Sequence, residues 1–170
     1  MINRFDALRA RAARPFDIDP DLRFWNEMPG QFVDLWRAKT APGAVMPTRD
    51  ALPPAAMTPF LPYLLIVEMD AGRQRYRNRL VGTQVVEHAG RDSTGKWFEE
   101  IYSPEVIAGH HRAHQWVIGN RRPIRTYGTM AFVGRGYMPV EAAIVPVSVG
   151  IPDRVEQFFI CVAYGSVVNP

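Results

Sequence analysis

The sequence has almost no cysteine: Cys161 is the single one in 170 residues. That excludes an internal disulfide and any zinc or iron–sulfur site built on several thiolates. Long apolar runs are missing too, and nothing approaches the roughly 18 uninterrupted apolar residues of a membrane span. The opening stretch MINRFDALRARAARPFD carries no apolar signal core, so a soluble, cytoplasmic protein with no membrane contact is expected. The phosphate-cradling spacings GxGxxG and GxxxxGK(S/T) do not occur. Acids are absent from Val106 to Val140, a stretch with five arginines and three histidines. Those arginines fall in different elements without interleaved stacking aromatics, so a solvated face is favoured and nucleic-acid binding disfavoured. Proline is absent from Tyr63–Ser103, although the chain holds 15 prolines. Six of them crowd between Pro42 and Pro62, where little regular structure can survive.

What remains is an ordinary globular composition, 47% apolar and 22% charged, in a length that suits one core. The first 20 residues read as a mobile arm. A helix is expected from about Gln31 to Lys39, with Phe32, Leu35 and Trp36 on one stripe. The proline-rich connector follows. Tyr63–Glu68 reads as a buried strand and Arg75–Val81 as its hairpin partner, with Tyr76, Asn78 and Leu80 on one face. Thr83–His88 is a short helix with Thr83 as its cap and Gly90 at its end. The best helix starts at Ser103-Pro104 and stops at Gly119-Asn120. Three strands close the chain: Ile124–Val133, Tyr137–Val149 and Val155–Tyr164.

This order, two strands, a helical middle and three strands, resembles a PAS domain. The stretch Arg77–Gly95 (RNRLVGTQVVEHAGRDSTG) is similar to a bacterial subgroup of short PAS-type proteins. Their pattern is a strand ending in Arg-Leu-Val-Gly-Thr, a short helix, then Gly-Arg-Asp-x-Thr-Gly. Trp36 with Pro47-x-Arg49-Asp50 upstream, and Arg122-Pro123 and Glu141–Val149 downstream, fit the same subgroup. The resemblance runs from about Trp36 to Tyr164. It implies an α+β fold: a five-stranded antiparallel sheet in the order 2-1-5-4-3, helices on one face and an N-terminal helical extension. Residues 1–62 would then be arm, helix and connector, and residues 63–167 the PAS-like core.

Such a fold encloses a small apolar cavity between the sheet and the helical middle, the default place for a small ligand. Alternation and position nominate Tyr76, Asn78, Trp97, Phe98, His114, Tyr127 and Glu141 as its lining, against simple core packing as the plainer reading. Arg79 and Glu141 form either a surface pair or, if buried, part of the pocket. His110 and His114 share a helix face and are the weak candidates for a metal, with no third ligand nearby. Some PAS proteins hold haem through a helical histidine, which keeps haem open. A flavin–cysteine adduct is disfavoured, because Cys161 falls in the last strand rather than after Gly90-Arg91.

No ordered catalytic constellation is present, so the expected function is a non-enzymatic sensory or regulatory module in signal transduction. It would bind a small ligand or a protein partner, with output through a homodimer or a separate signalling protein. Phe32, Leu35 and Trp36 are the expected dimer or docking surface. The alternatives are a ligand-binding or enzymatic cone-shaped α+β fold and, further off, a nucleic-acid binder.

Overall fold

The computed structural model describes residues 16–70, 72 and 74–165. The arm expected over the first 20 residues falls largely outside that range, as do residues 166 and 167 at the end of the expected core. Among the described residues, six strands form one antiparallel sheet. They are β1 (Phe16–Asp19), β2 (Leu64–Asp70), β3 (Arg75–Val81), β4 (Ile124–Met130), β5 (Arg135–Val147) and β6 (Gln157–Tyr164). The helices are α1 (Glu27–Lys39), α2 (Thr83–Ala89), α3 (Phe98–Ile101) and α4 (Pro104–Asn120).

The sheet order is β1-β4-β5-β6-β2-β3. Read from the β3 end, the last five strands keep the expected order 2-1-5-4-3. The five-stranded expectation is corrected by β1, which pairs with β4 at the edge, Phe16 opposite Gly128 and Asp19 opposite Arg125. The end of the expected arm is therefore a strand, and the sheet crosses the boundary drawn at residue 62. Phe16-Asp17-Ile18-Asp19 alternates apolar and acidic residues, the pattern of a half-buried strand.

Both faces of the sheet are covered. Strand alternation sends Leu64, Ile66, Ala143, Val145 and Phe159 to one face, under α1 and the connector. Phe32 and Val33 of α1 are fully enclosed there, and the Trp36 indole N–H donates to the Pro146 carbonyl at 2.7 Å. Burying each of these large side chains is worth about 1.5–3 kcal/mol. This corrects the docking surface: Phe32 and Trp36 are buried and Leu35 is partly buried against the same core, so the stripe is occupied by the chain's own sheet.

The connector is a series of 3-10 turns at Arg49–Ala51, Pro54–Met57 and Leu61–Tyr63. They bury Met46, Leu52, Met57 and Phe60 over the same face. The turns suit the prolines, since short i→i+3 segments leave many N–H groups unused anyway.

The opposite face carries the helical middle. Ser103 caps α4, its hydroxyl accepting the Val106 N–H at 3.5 Å. At the far end the expected stop moves by a residue or two. Gly119 and Asn120 stay helical, and Arg121 takes the left-handed position at φ 52°. Gly82, not Thr83, stands at the cap of α2; Thr83 is the first helical residue. Gly90 closes α2 at φ 72°, a left-handed conformation that costs glycine little.

Candidate functional site

Between the sheet and α2–α4 lies a cavity of about 130 Å³. Its sheet wall is mainly apolar, with Leu65, Val67, Ala142, Ile144, Ile160 and Val162, and Thr126 of β4, paired with Ala142, adds a hydroxyl. Val85 of α2, Phe98 and Ile101 of α3, and Val106 and His110 of α4 form the helical wall. Phe16 on β1 closes one edge, its ring 5.1 Å from that of His110. The polar groups gather at another edge. Asn78 donates to the Ser93 hydroxyl at 2.9 Å, and Tyr102 hydrogen-bonds the same Asn78 side chain. Arg91 stands at the rim and donates to the Ile101 carbonyl.

The loop that carries Ser93 is pinned to β3 through its main chain. The Asn78 N–H donates to Lys96 O at 3.0 Å, and the Asn78 carbonyl accepts from the Gly95 N–H. Gly95 needs its φ of 80° to bring the loop back to the strand. The Gly90–Gly95 signature thus builds one side of the cavity.

Of the seven lining candidates, Asn78, Phe98, Tyr127 and Glu141 reach the cavity, and Tyr76, Trp97 and His114 do not. Tyr76 and His114 belong to an aromatic cluster beside it. The two rings are 4.5 Å apart, and His114 stacks on Phe158 at 4.2 Å. Trp97 packs outward under Arg75, whose guanidinium lies 4.2 Å from the ring.

Glu141 and Tyr127 border the cavity, but alternation turns their side chains to the α1 face. There the Glu141 carboxylate accepts the Trp25 N–H (3.0 Å), the Asn26 N–H (2.6 Å), the Asn26 amide (3.0 Å) and the Arg125 Nε–H (2.8 Å). Four donors fill the acceptor capacity of a carboxylate. The pairing of Arg79 with Glu141 is therefore corrected. Arg79 bonds Glu68 at the surface, while Glu141 is fully buried beside Arg125. Arg125 also reaches Asp19 at 3.3 Å, and its guanidinium lies over the Trp25 and Tyr127 rings at 4.5 and 4.2 Å. This cluster latches the segment leading into α1 to the sheet. Glu141 stood out in the sequence as an acid inside an apolar strand; its partners did not.

The histidines are poor metal ligands as placed. Among the described residues no group of three or more metal-binding side chains converges. The His110 and His114 ring centroids are 5.9 Å apart among aromatic rings. Both nitrogens of His114 are buried without a hydrogen-bond partner. The cavity is also too small for a tetrapyrrole. Cys161 does not line it, and burial pushes the thiol up to about 12, so the residues do not fit a flavin adduct either.

A PAS-domain family model matches residues 27–146, which is most of the chain. The chain belongs to the PAS-domain family. A search of curated proteins gave no match. The matched part of this PAS domain runs from α1 into β5, so the N-terminal helix and proline-rich connector belong to the family pattern along with the helical middle. PAS domains are in general sensory or regulatory modules. Among the described residues, no helix is long and apolar enough to cross a membrane.

The aromatic cluster gives this PAS domain an acid-sensitive core. Burial, and after it the neighbouring His111, holds His110 down to about 4; burial and then His110 hold His114 well below the usual histidine range. An unfolded imidazole takes a proton below about 6.5, while the folded rings stay neutral further down. Between pH 6.5 and about 4 the unfolded chain therefore binds more protons. The stabilisation is complete above that window and is lost as pH falls, by up to about 1.4 kcal/mol per pH unit per histidine. Urea denaturation at pH 7 and pH 5 should show the loss. His114→Phe should reduce the slope and be no less stable at pH 7, since two unpartnered nitrogens are removed from an aromatic site. An unchanged slope in the variant would show that His114 is not the group responsible.

Proposed function

We propose that this PAS domain senses one small, largely apolar molecule in the cavity under α2–α4, with no chemistry of its own. Output passes to a second copy or to a separate signalling protein. The cavity carries the reading. It is close in size to the roughly 150 Å³ apolar cavities that stay dry and take up benzene. The groups facing it also support binding rather than catalysis. The Asn78 amide nitrogen bonds the Ser93 hydroxyl, while its Oδ1 is buried without a partner, and the Glu141 carboxylate is filled by the latch.

Toluene is a suitable probe. At about 100 times its Kd it should stabilise the folded protein by about 2.7 kcal/mol, raising Tm in a dose-dependent way. Ala142→Leu places a larger apolar side chain in the cavity wall and should abolish the shift while leaving the fold intact. If toluene produced no shift, or the same shift in Ala142→Leu, the cavity would not be a binding site. Light scattering with and without toluene then tests the output, which is expected to appear as a change in self-association or in binding to a partner protein.

A further inference from the structure

We infer that the ligand carries an anionic head group on its apolar body, a small monocarboxylate being the simplest case, and that Arg91 at the cavity rim holds that head. The inference rests on the cavity being the ligand site and goes further by naming the ligand's class. The observation behind it is a guanidinium without an ion pair at the rim of a cavity that no other charged side chain faces.

Two formally charged side chains border the cavity, Arg91 and Glu141. Glu141 is turned to the opposite face and neutralised there by Arg125. His110 is half-buried and packed against the rings of Phe16, Phe98 and Tyr102, surroundings that keep it neutral near pH 7. Arg91 therefore supplies the net charge the cavity sees.

The acids of the neighbouring segments hydrogen-bond to other groups. Asp92 accepts the N–H and hydroxyl of Thr94 within its own loop, at 2.9 and 2.7 Å. Glu87 accepts from Gln84, Glu99 pairs with Arg75, and Glu100 takes the Trp97 N–H and lies 3.5 Å from Lys96. Among the described residues Arg91 makes no ion pair, and the Ile101 carbonyl is its one hydrogen-bond partner. A guanidinium has five N–H donors in a rigid fork suited to a carboxylate, so most of its donors remain available.

That one bond also positions it. Arg91 leaves the loop after Gly90 and reaches across to the last residue of α3, so its charge is tethered at the rim instead of extending freely into solvent. The far wall is mainly apolar, Leu65, Val67, Ala142, Ile144, Ile160 and Val162, with the neutral Thr126 hydroxyl beside Ala142. A ligand with a compact apolar end and one anionic end fits both halves of this arrangement.

Benzoate and toluene separate the two parts of the inference, since they share a ring and differ in the carboxylate. Titrations of the full chain at pH 7.5, followed by NMR chemical shifts, should give saturable binding of both to the wild type. In Arg91→Gln benzoate should bind about fivefold more weakly and toluene unchanged, with Arg91→Lys in between. Raising the salt should weaken benzoate alone. Three outcomes would overturn the inference: benzoate undiminished in Arg91→Gln, toluene weakened equally with it, or toluene bound and benzoate not. In these cases the cavity reading stands. If neither probe binds the wild type, the cavity reading falls and the inference with it.

Discussion

Glu141→Ala is expected to cost about 3–5 kcal/mol of folding stability, a large part of what a domain of this size has. The carboxylate is fully buried and accepts from two main-chain N–H groups, one amide and one guanidinium. Removing it leaves Arg125 buried with Asp19 alone and orphans the Trp25 and Asn26 donors. Urea denaturation would report the loss as a lower midpoint with a similar slope. Glu141→Gln should fall between, because the amide keeps the shape but loses the charge and swaps an acceptor for a donor. The damage should also be local. Trp25 lies against Arg125, so its fluorescence should change at lower urea than the signal of the sheet if the α1 entry detaches first. A loss below about 1 kcal/mol in Glu141→Ala would mean that the latch contributes no more than an exposed ion pair.

Gly82→Ala is expected to be comparably severe for a different reason. A Cβ at this position would lie 2.4 Å from the carbonyl oxygens of both Leu61 and Pro62. These are main-chain atoms of the connector, so no side chain can swing aside. The backbone itself is unremarkable at φ −66° and ψ 154°, which any residue can adopt. The glycine is needed because the connector crosses the end of β3 at contact distance. The substitution should cost about 3 kcal/mol or more, beyond ordinary overpacking. Gly90→Ala is the matching control. There the φ of 72° disfavours a side chain but the space is open, and about 1 kcal/mol is expected. Thermal or urea denaturation of both variants decides the matter. Equal losses would show that the contact at Gly82 relaxes easily.

The contrast explains what could be read in the sequence. The strand order and the helical middle follow from local signals: alternation in β3, Ser103-Pro104 at the head of α4, Gly90 at the end of α2. β1 was missed because it has four residues and follows a stretch of mixed charge. Its alternation of Phe16, Asp17, Ile18 and Asp19 is present, but nothing local says that β4 lies alongside. Asn78 and Phe98 could be placed at the cavity because alternation and helix position fix their direction. Tyr76 and His114 differ from them only by how α4 leans on the sheet, and that angle is a property of the assembled core. The Glu141 latch joins residues more than a hundred positions apart. Its acid was visible as a polar break in an apolar strand, while the choice of Arg125 over Arg79 needs the register of β4 on β5. Arg91 lay inside the Gly-Arg-Asp signature, where it read as part of a loop; the hydrogen bonds of the acids in the neighbouring segments are a three-dimensional fact.

The loop that walls the cavity has a second consequence, for the margins of the sheet. A strand edge with free N–H and C=O groups is a template on which another chain can pair and grow. On β3 the middle of that edge is already taken: Asn78 binds Gly95 and Lys96 through both main-chain groups, and Arg77 bridges to Trp97. Three arginines, Arg75, Arg77 and Arg79, add charge along the same strand. At the other margin β1 offers four residues, with Pro15 before and Pro20 after in the sequence, neither able to donate a hydrogen bond. Among the described residues, an incoming strand therefore finds no long open row at either end. The sheet is protected against runaway edge-to-edge pairing, and a second copy must be met through side chains.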